Sequence, residues 1–165
     1  MPKSKKPSKV DLRPAFIDAL NELAEKDDKV VFIIPDVGFM YAEKFKGRVL
    51  NTGVTECSTM ILAAALALDG FKPYVYSMRN FVLYRPYEMV RNAVVCHNAN
   101  VKILGVSGSE AYKFLGFSHC DRWDGEDTRT ARTLGLRVRL PKTPEAVKRA
   151  IHSGYKVHGP EYIRL

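Results

Sequence analysis

The chain has 165 residues, 46% apolar content and a formal net charge of +8. This size and composition suit one compact domain with its own core, which we place at residues 11–165, and exclude a second domain. Residues 1–10 are interpreted as a basic tail, because "MPKSKKPSKV" holds four lysines, two prolines and no acid, a composition typical of disorder.

The charge outside this tail is modest, since +4 remains without its four lysines. No interleaving of aromatic and basic residues is present, so nucleic acid is not an expected partner, while a mildly cationic body suits phosphorylated small molecules. Cys57, Cys96 and Cys120 lack the spacing of a disulfide framework, and no apolar stretch is long enough for a membrane span or a secretory signal. These features predict a reducing, cytoplasmic setting without a membrane.

Helical and strand patterns alternate along the chain. A first helix is predicted from the spacing of Leu12, Phe16, Leu20 and Leu23. Other helices are predicted over 40–46, after Glu56, over 85–96, up to Leu134 and after the cap Thr143, with a long loop over 108–124. The predicted strands are KVVFII, RVLN, KPYVYS, VKILGVS, LRVRL and EYIRL. This alternation predicts a three-layer α/β/α fold with a six-stranded, mainly parallel sheet.

Glu56 is a single acid at the start of a helix, directly after the strand RVLN and the turn at Gly53. An acid in a first turn can simply complement the helix dipole, which is worth about 0.3–1 kcal/mol. The next residues, CSTMILAAALAL, have scarcely any solvent-facing stripe, so we expect a central helix whose N-terminus opens into a crevice or an interface. A carboxylate buried there needs a hydrogen-bond donor or a raised pKa, and a ligand nitrogen is one such donor.

Three aromatic residues, Phe81, Tyr84 and Tyr87, recur at every third position between a strand end and the next predicted helix. Core packing is the usual explanation for such a stripe. The three rings begin in a predicted loop at the same sheet edge as Glu56, however, where ligands of parallel sheets bind. A flat heterocycle stacked on one of them while hydrogen-bonded to the carboxylate is the alternative.

The sequence from Arg13 to Leu165 resembles the pyrimidine-binding domain of the transketolase family of thiamine diphosphate enzymes. The resemblance rests on the order and spacing of NTGVTE before an alanine-rich helix, DGFKPYVYS, NFVLYRPYEMVRNAV, GFSHCD and GPEYIRL. It implies that Glu56 is catalytic and binds the ring nitrogen of the cofactor's aminopyrimidine. It also implies that Tyr84 stacks on that ring, that Phe81 and Tyr87 line the same pocket, and that Asp36 lies near the thiazolium.

The resemblance also implies substrate contacts. His119 matches a catalytic histidine that contacts sugar substrate, Arg13 matches an arginine that binds substrate phosphate, and Ser107 stands where sugar-specific transketolases have another histidine. A loop histidine without a role and a solvated arginine at a helix start are the alternatives. A nucleophile pair or metal site of His119 with Cys120 is not expected, because adjacent loop residues rarely face each other and no second Cys or His pair has ligand spacing.

Several departures from the family pattern bear on substrate and partner. Leu115 replaces an aspartate four residues before the family's histidine, and RWDGEDTRTAR has no simple counterpart. The glycine-aspartate-glycine turn with a distant asparagine, which holds the diphosphate and Mg²⁺ in this family, is absent from the sequence. The resemblance therefore implies a partner subunit that binds diphosphate and Mg²⁺, in a homodimer or heterotetramer.

The expected function is that of the pyrimidine-binding subunit of a split transketolase-like enzyme. Such an enzyme moves a two-carbon ketol unit between phosphorylated sugars or related aldehydes and depends on thiamine diphosphate. The same half-site serves deoxyxylulose phosphate synthases and the beta subunits of 2-oxoacid dehydrogenases, which begin by decarboxylation. A non-catalytic regulatory relative that keeps the fold is a further alternative.

Overall fold

The computed structural model describes residues 10–107, 110–120 and 122–165. The predicted basic tail, apart from Val10, lies outside the described residues. No helix in the described part of the chain has both the length and the apolar character needed to cross a bilayer.

A six-stranded sheet forms the centre of the domain, and its strands lie in the order β2-β1-β3-β4-β6-β5. Every neighbouring pair is parallel, which confirms the predicted fold class with a sheet that is parallel throughout. The strands are β1 (Val30–Ile34), β2 (Arg48–Asn51), β3 (Lys72–Met78), β4 (Lys102–Val106), β5 (Arg137–Arg139) and β6 (Glu161–Arg164).

Burial explains the sequences of these strands. All five residues of β1 and all five of β4 are buried, and all of them except Lys102 are apolar or glycine, as expected for strands covered on both sheet faces. The strands at the two sheet edges, β2 and β5, contain exposed residues. The apolar runs therefore mark the middle of the sheet and bring the carboxyl ends of β1, β3 and β4 together.

Helices cover both faces of the sheet. On one face α1 and α6 pack around a cluster that includes Phe16, Phe32 and Tyr76, and on the other face α3 and α5 pack around Met60 and Ile103. The helices are α1 (Arg13–Ala24), α2 (Phe39–Ala42), α3 (Glu56–Leu68), α4 (Tyr87–Met89), α5 (Glu126–Thr133) and α6 (Pro144–Lys156). As predicted, Thr143 caps α6, and its hydroxyl accepts from the amide of Ala146 at 3.2 Å.

The helix predicted over 85–96 is present, but the loop predicted before it was wrong. The chain is already helical from Asn80, with π-helical turns at Asn80–Tyr84 and Val90–Val95 on either side of α4. Pro86 has no amide hydrogen and cannot donate a backbone hydrogen bond. The last backbone bond before it is of the π type, from the amide of Arg85 to the carbonyl of Asn80. The loop predicted over 108–124 also contains a 3₁₀ segment, Glu110–Ser118.

The prediction for α3 was wrong in one respect. Its residues Met60, Ala63 and Ala64 are buried as expected, but one apolar face is open in this chain. The exposed fractions are 49% for Ile61 and 62% for Leu68. An apolar composition does not distinguish a face buried within its own chain from a face that meets another chain.

Glu161 anchors the amino ends of β5 and β6, and it makes stability sensitive to acid. Its fully buried carboxylate accepts from Arg137 at 2.7 Å and from Arg139 at 2.8 Å. Burial alone favours the neutral acid, but the hydrogen bonds from Arg139 and Arg137 outweigh it and hold the pKa below its usual value of 4.5. The ionised form therefore contributes stability fully above pH 4.5 and less as the pH falls through the folded-state pKa.

We therefore expect the stability advantage of the wild type over Glu161→Gln to shrink as the pH falls below about 4.5. Urea unfolding of both proteins measures this difference in the free energy of unfolding. The range from about pH 3 to pH 7 covers the ionisation of a carboxyl group. Glu88→Gln, a change of an exposed acid, is the control. An advantage that stays constant with pH would contradict the assignment.

Candidate functional site

The predicted site residues follow different strands at one edge of the sheet. Asp36 follows β1, Glu56 follows β2, Phe81 follows β3, and Ser107 follows β4. Because all strands are parallel, these four positions lie at the common carboxyl edge, where loops and helix N-termini converge. The fold thus gathers residues that are far apart in the sequence.

Asn51 organises the turns that lead to Glu56 and Asp36. Its side-chain oxygen accepts from the amide of Gly53 at 3.0 Å and from the amide of Asp36 at 3.2 Å. Gly53 has a φ of +67° and Asp36 one of +68°, so both turns use left-handed backbone. Asn51 therefore fixes the start of α3 relative to the end of β1.

Glu56 is a buried carboxylate with a planar cation beside it. Only 4% of its side chain is exposed, and its Oε1 accepts from Nη1 of Arg85. The Arg85 guanidinium also lies over the ring of Phe81, with Cζ 4.2 Å from the ring centroid. The pair of Glu56 and Phe81 thus already holds a flat group that donates N–H bonds.

His119 lies next to Phe81 on the side of the 3₁₀ segment. The two ring centroids are 5.1 Å apart in an edge-to-face arrangement, and the ring of Tyr112 stacks on His119 at 6.1 Å. The Ser118 hydroxyl is 2.8 Å from Nδ1 of His119. Asn80 donates to the carbonyl of Phe117 at 2.7 Å, which ties this segment to the end of β3.

A second group of predicted residues shares a cavity of about 250 Å³. Arg13, Asp36 and Ser107 line it, together with Tyr76 and Tyr112. Tyr112 contacts both this cavity and His119, so it connects the cavity to the surroundings of Glu56. The structure therefore brings Arg13, Asp36 and Ser107 together, as one part of a site that continues towards Phe81.

Arg13 has an acidic partner within its own chain. Its Nε and Nη2 donate to the two carboxylate oxygens of Asp11 at 2.7 and 3.0 Å. The hydrogen bond from Arg13 holds the pKa of Asp11 below its usual range. The guanidinium also lies 5.5 Å from the ring centroid of Tyr41. A phosphate bound by Arg13 would therefore compete with Asp11.

The three aromatic residues have different surroundings. Phe81 packs with the core on the α1 side of the sheet, whereas Tyr84 packs against the core on the α3 side. Tyr87 is 37% exposed. The single pocket expected for all three rings stays a prediction.

The sequence analysis missed Asn51, Arg85 and Tyr112. Asn51 is the last residue of β2, and an asparagine before a glycine turn is a recognisable signal for a side chain that binds nearby amides. Arg85 and Tyr112 reach the site only through the folded chain, and no spacing in the sequence indicates their contacts.

The described residues fit the pyrimidine half of thiamine diphosphate. The buried Glu56 carboxylate accepts from a planar N–H donor that lies on an aromatic ring, which is the chemistry that an aminopyrimidine requires. Within residues 10–107, 110–120 and 122–165, no group of three or more His, Cys, Asp or Glu side chains is placed to hold a metal ion.

A parallel α/β domain with a buried acid and aromatic rings at its carboxyl edge belongs to the class of folds whose ligands bind beyond the carboxyl ends of the strands. The model of the transketolase pyrimidine-binding domain matches residues 8–165, and this chain belongs to that family. Transketolases of known structure share the fold: one from Pichia stipitis has a TM-score of 0.80 at 17% identity and covers 99% of this chain and 28% of its own.

More similar proteins are described as transketolase subunits or as a split-gene transketolase. The chain is 29% identical over 160 residues to the 6-deoxy-6-sulfo-D-fructose transketolase subunit SqwH of a Clostridium species, with 93% of this chain and 49% of the relative covered. It is 30% identical over 158 residues to an apulose-4-phosphate transketolase subunit of Phocaeicola vulgatus, with 93% and 50% covered. A structure described as "Split gene transketolase, inactive beta4 tetramer" has a TM-score of 0.79 at 28% identity and covers 93% of this chain and 50% of its own. The chain thus spans about half the length of these relatives.

Proposed function

We propose that this chain is the pyrimidine-binding subunit of a split transketolase-like enzyme that transfers a two-carbon ketol unit between phosphorylated sugars or related aldehydes. The observation that carries the proposal is the buried Glu56 carboxylate, which binds a flat N–H donor over Phe81 at the carboxyl edge of the sheet. Membership of the pyrimidine-binding family supports the same reading. When bound, thiamine diphosphate supplies the carbon nucleophile and the electron sink for this chemistry.

One set of residues of this chain binds the pyrimidine ring, and another set binds the substrate. Glu56 holds the pyrimidine by its ring nitrogen and exchanges a proton there, as a positioned acid or base does. The aromatic rings Phe81, Tyr84 and Tyr87 surround the pyrimidine, and Asp36 lies towards the thiazolium. His119, Ser107 and Arg13 bind the sugar and its phosphate.

A partner subunit supplies the diphosphate site and its Mg²⁺. The open apolar face of α3, with Ile61 and Leu68 exposed and Val54 67% exposed before it, suits close packing against that partner. The names of the two relatives also describe subunits. We propose a heterotetramer with two copies of each chain, whose active sites lie between the two kinds of chain, in the cytoplasm.

Calorimetry on the reconstituted pair tests this proposal. The partner is a chain that carries a glycine-aspartate-glycine turn, and the neighbouring reading frame is the first place to look for it. Thiamine diphosphate with Mg²⁺ is titrated into each chain alone and into the mixture. We expect tight binding only in the mixture and a strong loss with Glu56→Ala. Binding in the mixture that does not change with Glu56→Ala would refute the proposal.

A decarboxylating enzyme is the second candidate. The 1-deoxy-D-xylulose-5-phosphate synthase of Desulfitobacterium hafniense is 28% identical over 165 residues, and Leu115 replaces the sugar-specific aspartate. Release of labelled CO₂ from pyruvate by the reconstituted pair would favour this candidate, whereas ketol transfer from a ketose phosphate without CO₂ favours the transketolase. A regulatory relative would keep its function in the Glu56→Ala variant.

A further inference from the structure

Arg85 occupies the place in front of Glu56. Its guanidinium makes two contacts at once: Nη1 donates to the Glu56 carboxylate, and Cζ lies 4.2 Å from the centroid of the Phe81 ring. Both are contacts that the proposed function gives to the pyrimidine. Since only 4% of the Glu56 side chain is exposed, little of its surface is left for a second donor while Arg85 stays.

A guanidinium and an aminopyrimidine share the features that this place recognises. Both are flat, both present N–H donors at their rim to a carboxylate, and both stack on an aromatic face. We infer that Arg85 is a placeholder in the pyrimidine site: in the isolated chain its guanidinium neutralises Glu56 and covers Phe81, and it must leave before a pyrimidine ring binds. This inference rests on the proposed function.

The Arg85 side chain can leave without moving its backbone. Its amide donates to the carbonyl of Asn80 at 2.9 Å, and its own carbonyl accepts from Sγ of Cys57 at 3.7 Å. The backbone is thus fixed both to the π-helical turn and to the first turn of α3. The side chain, in contrast, is 42% exposed, so it can rotate into solvent.

Arg85 also stabilises the isolated chain, because it pairs with the buried carboxylate of Glu56. A buried carboxylate without a partner is costly, and in the isolated chain no cofactor compensates that cost. Arg85 provides the partner until the cofactor arrives. Binding of the pyrimidine then competes with an internal ion pair, so the isolated chain has a lower affinity for the ring than the same site without Arg85.

The test uses the full isolated chain and, as probe, 4-amino-5-hydroxymethyl-2-methylpyrimidine, which is the pyrimidine half of the cofactor. Ligand-observed NMR titration gives the affinity of the wild type, Arg85→Ala, and the double variant Arg85→Ala with Glu56→Ala. We expect Arg85→Ala to bind at least about tenfold more tightly than the wild type, a factor that such titrations resolve. The double variant should lose this gain, and Arg91→Ala, a change of an exposed arginine nearby, should bind like the wild type.

The other outcomes separate this inference from the proposed function. Equal binding by the wild type and Arg85→Ala that is lost with Glu56→Ala overturns the placeholder and leaves the proposed function standing. Weaker binding by Arg85→Ala overturns it too, because Arg85 would then be a ligand of the ring. If neither the wild type nor Arg85→Ala binds the pyrimidine, the inference is overturned as well, because removal of the Arg85 side chain then gave no affinity for the ring. If circular dichroism shows that Arg85→Ala is unfolded, Arg85→Met, which keeps the length of the side chain but has neither the charge nor an N–H donor, replaces it with the same expectations.

Discussion

Replacing Glu56 with glutamine is expected to lower kcat of the reconstituted enzyme by about 10²- to 10⁴-fold, the usual contribution of a positioned acid or base. Glutamine keeps the size of the side chain and a carbonyl oxygen that accepts from Arg85 or from a ring. It cannot exchange a proton with the ring nitrogen. The loss should therefore appear in turnover far more than in the affinity for thiamine diphosphate, and steady-state kinetics combined with calorimetry separates the two.

The chain offers a matched control for this change. Glu145 is also an acid in the first turn of a 13-residue helix, but it is exposed and lies in α6. Glu145→Gln should leave kcat within a factor of about two, because surface changes have small effects. If Glu56→Gln and Glu145→Gln had the same turnover, Glu56 would be an ordinary helix-dipole residue and not the proton-exchanging group.

The positions of the strands along the chain and the place of Glu56 at the start of a helix could be predicted because the signals are local. The run VVFII is apolar at every position, which indicates a strand covered on both faces, and the fold bears this out. Gly53 before Glu56 marks a turn into a helix, and Glu56 indeed begins α3. When short strand and helix patterns alternate regularly along a chain, a parallel sheet follows from the pattern.

Contacts between distant residues could not be predicted in this way. The ion pair of Glu56 with Arg85 spans 29 positions and depends on the path of the chain through β3. Tyr112 reaches His119 and the cavity of Arg13 only because the 3₁₀ segment folds back over the carboxyl edge. The π-helical turns were missed because a shift of backbone bonds from i+4 to i+5 leaves almost no trace in side-chain spacing.

Asp127→Ala is expected to lower the free energy of unfolding by about 3–5 kcal/mol, the range found when one partner of a buried ion pair is removed. The Asp127 carboxylate is fully buried, and its Oδ2 accepts from the hydroxyl of Tyr162 at 2.7 Å. The same oxygen lies 3.3 Å from Nε of Arg164 and 3.5 Å from Nε of Arg79. Truncation would leave Arg164 and Arg79 without this carboxylate, and the buried hydroxyl of Tyr162 would lose its hydrogen-bond acceptor.

Urea unfolding of the isolated chain measures this loss, and Asp124→Ala is the matched control. Asp124 also binds Arg164, at 2.5 Å, but its side chain is 89% exposed, so its removal should cost far less stability than removal of Asp127. Asp127→Asn should fall between the two, because the amide oxygen still accepts from Tyr162. We call Asp127 with Tyr162, Arg164 and Arg79 the Asp127 cluster. Equal losses of stability for Asp127→Ala and Asp124→Ala would show that burial does not strengthen this cluster.

The Asp127 cluster also bears on the site, because Arg79 directly precedes the π-helical turn that carries Phe81. Arg79 is 3% exposed, so its position is set by its buried neighbours and not by solvent. A variant that loosens Arg79 should therefore disturb Phe81, which in turn contacts both Arg85 and His119. We expect Asp127→Asn, which keeps more stability than Asp127→Ala, to weaken binding of thiamine diphosphate in the reconstituted pair at a temperature where it is fully folded. Unchanged binding under those conditions would limit Asp127 to a role in stability.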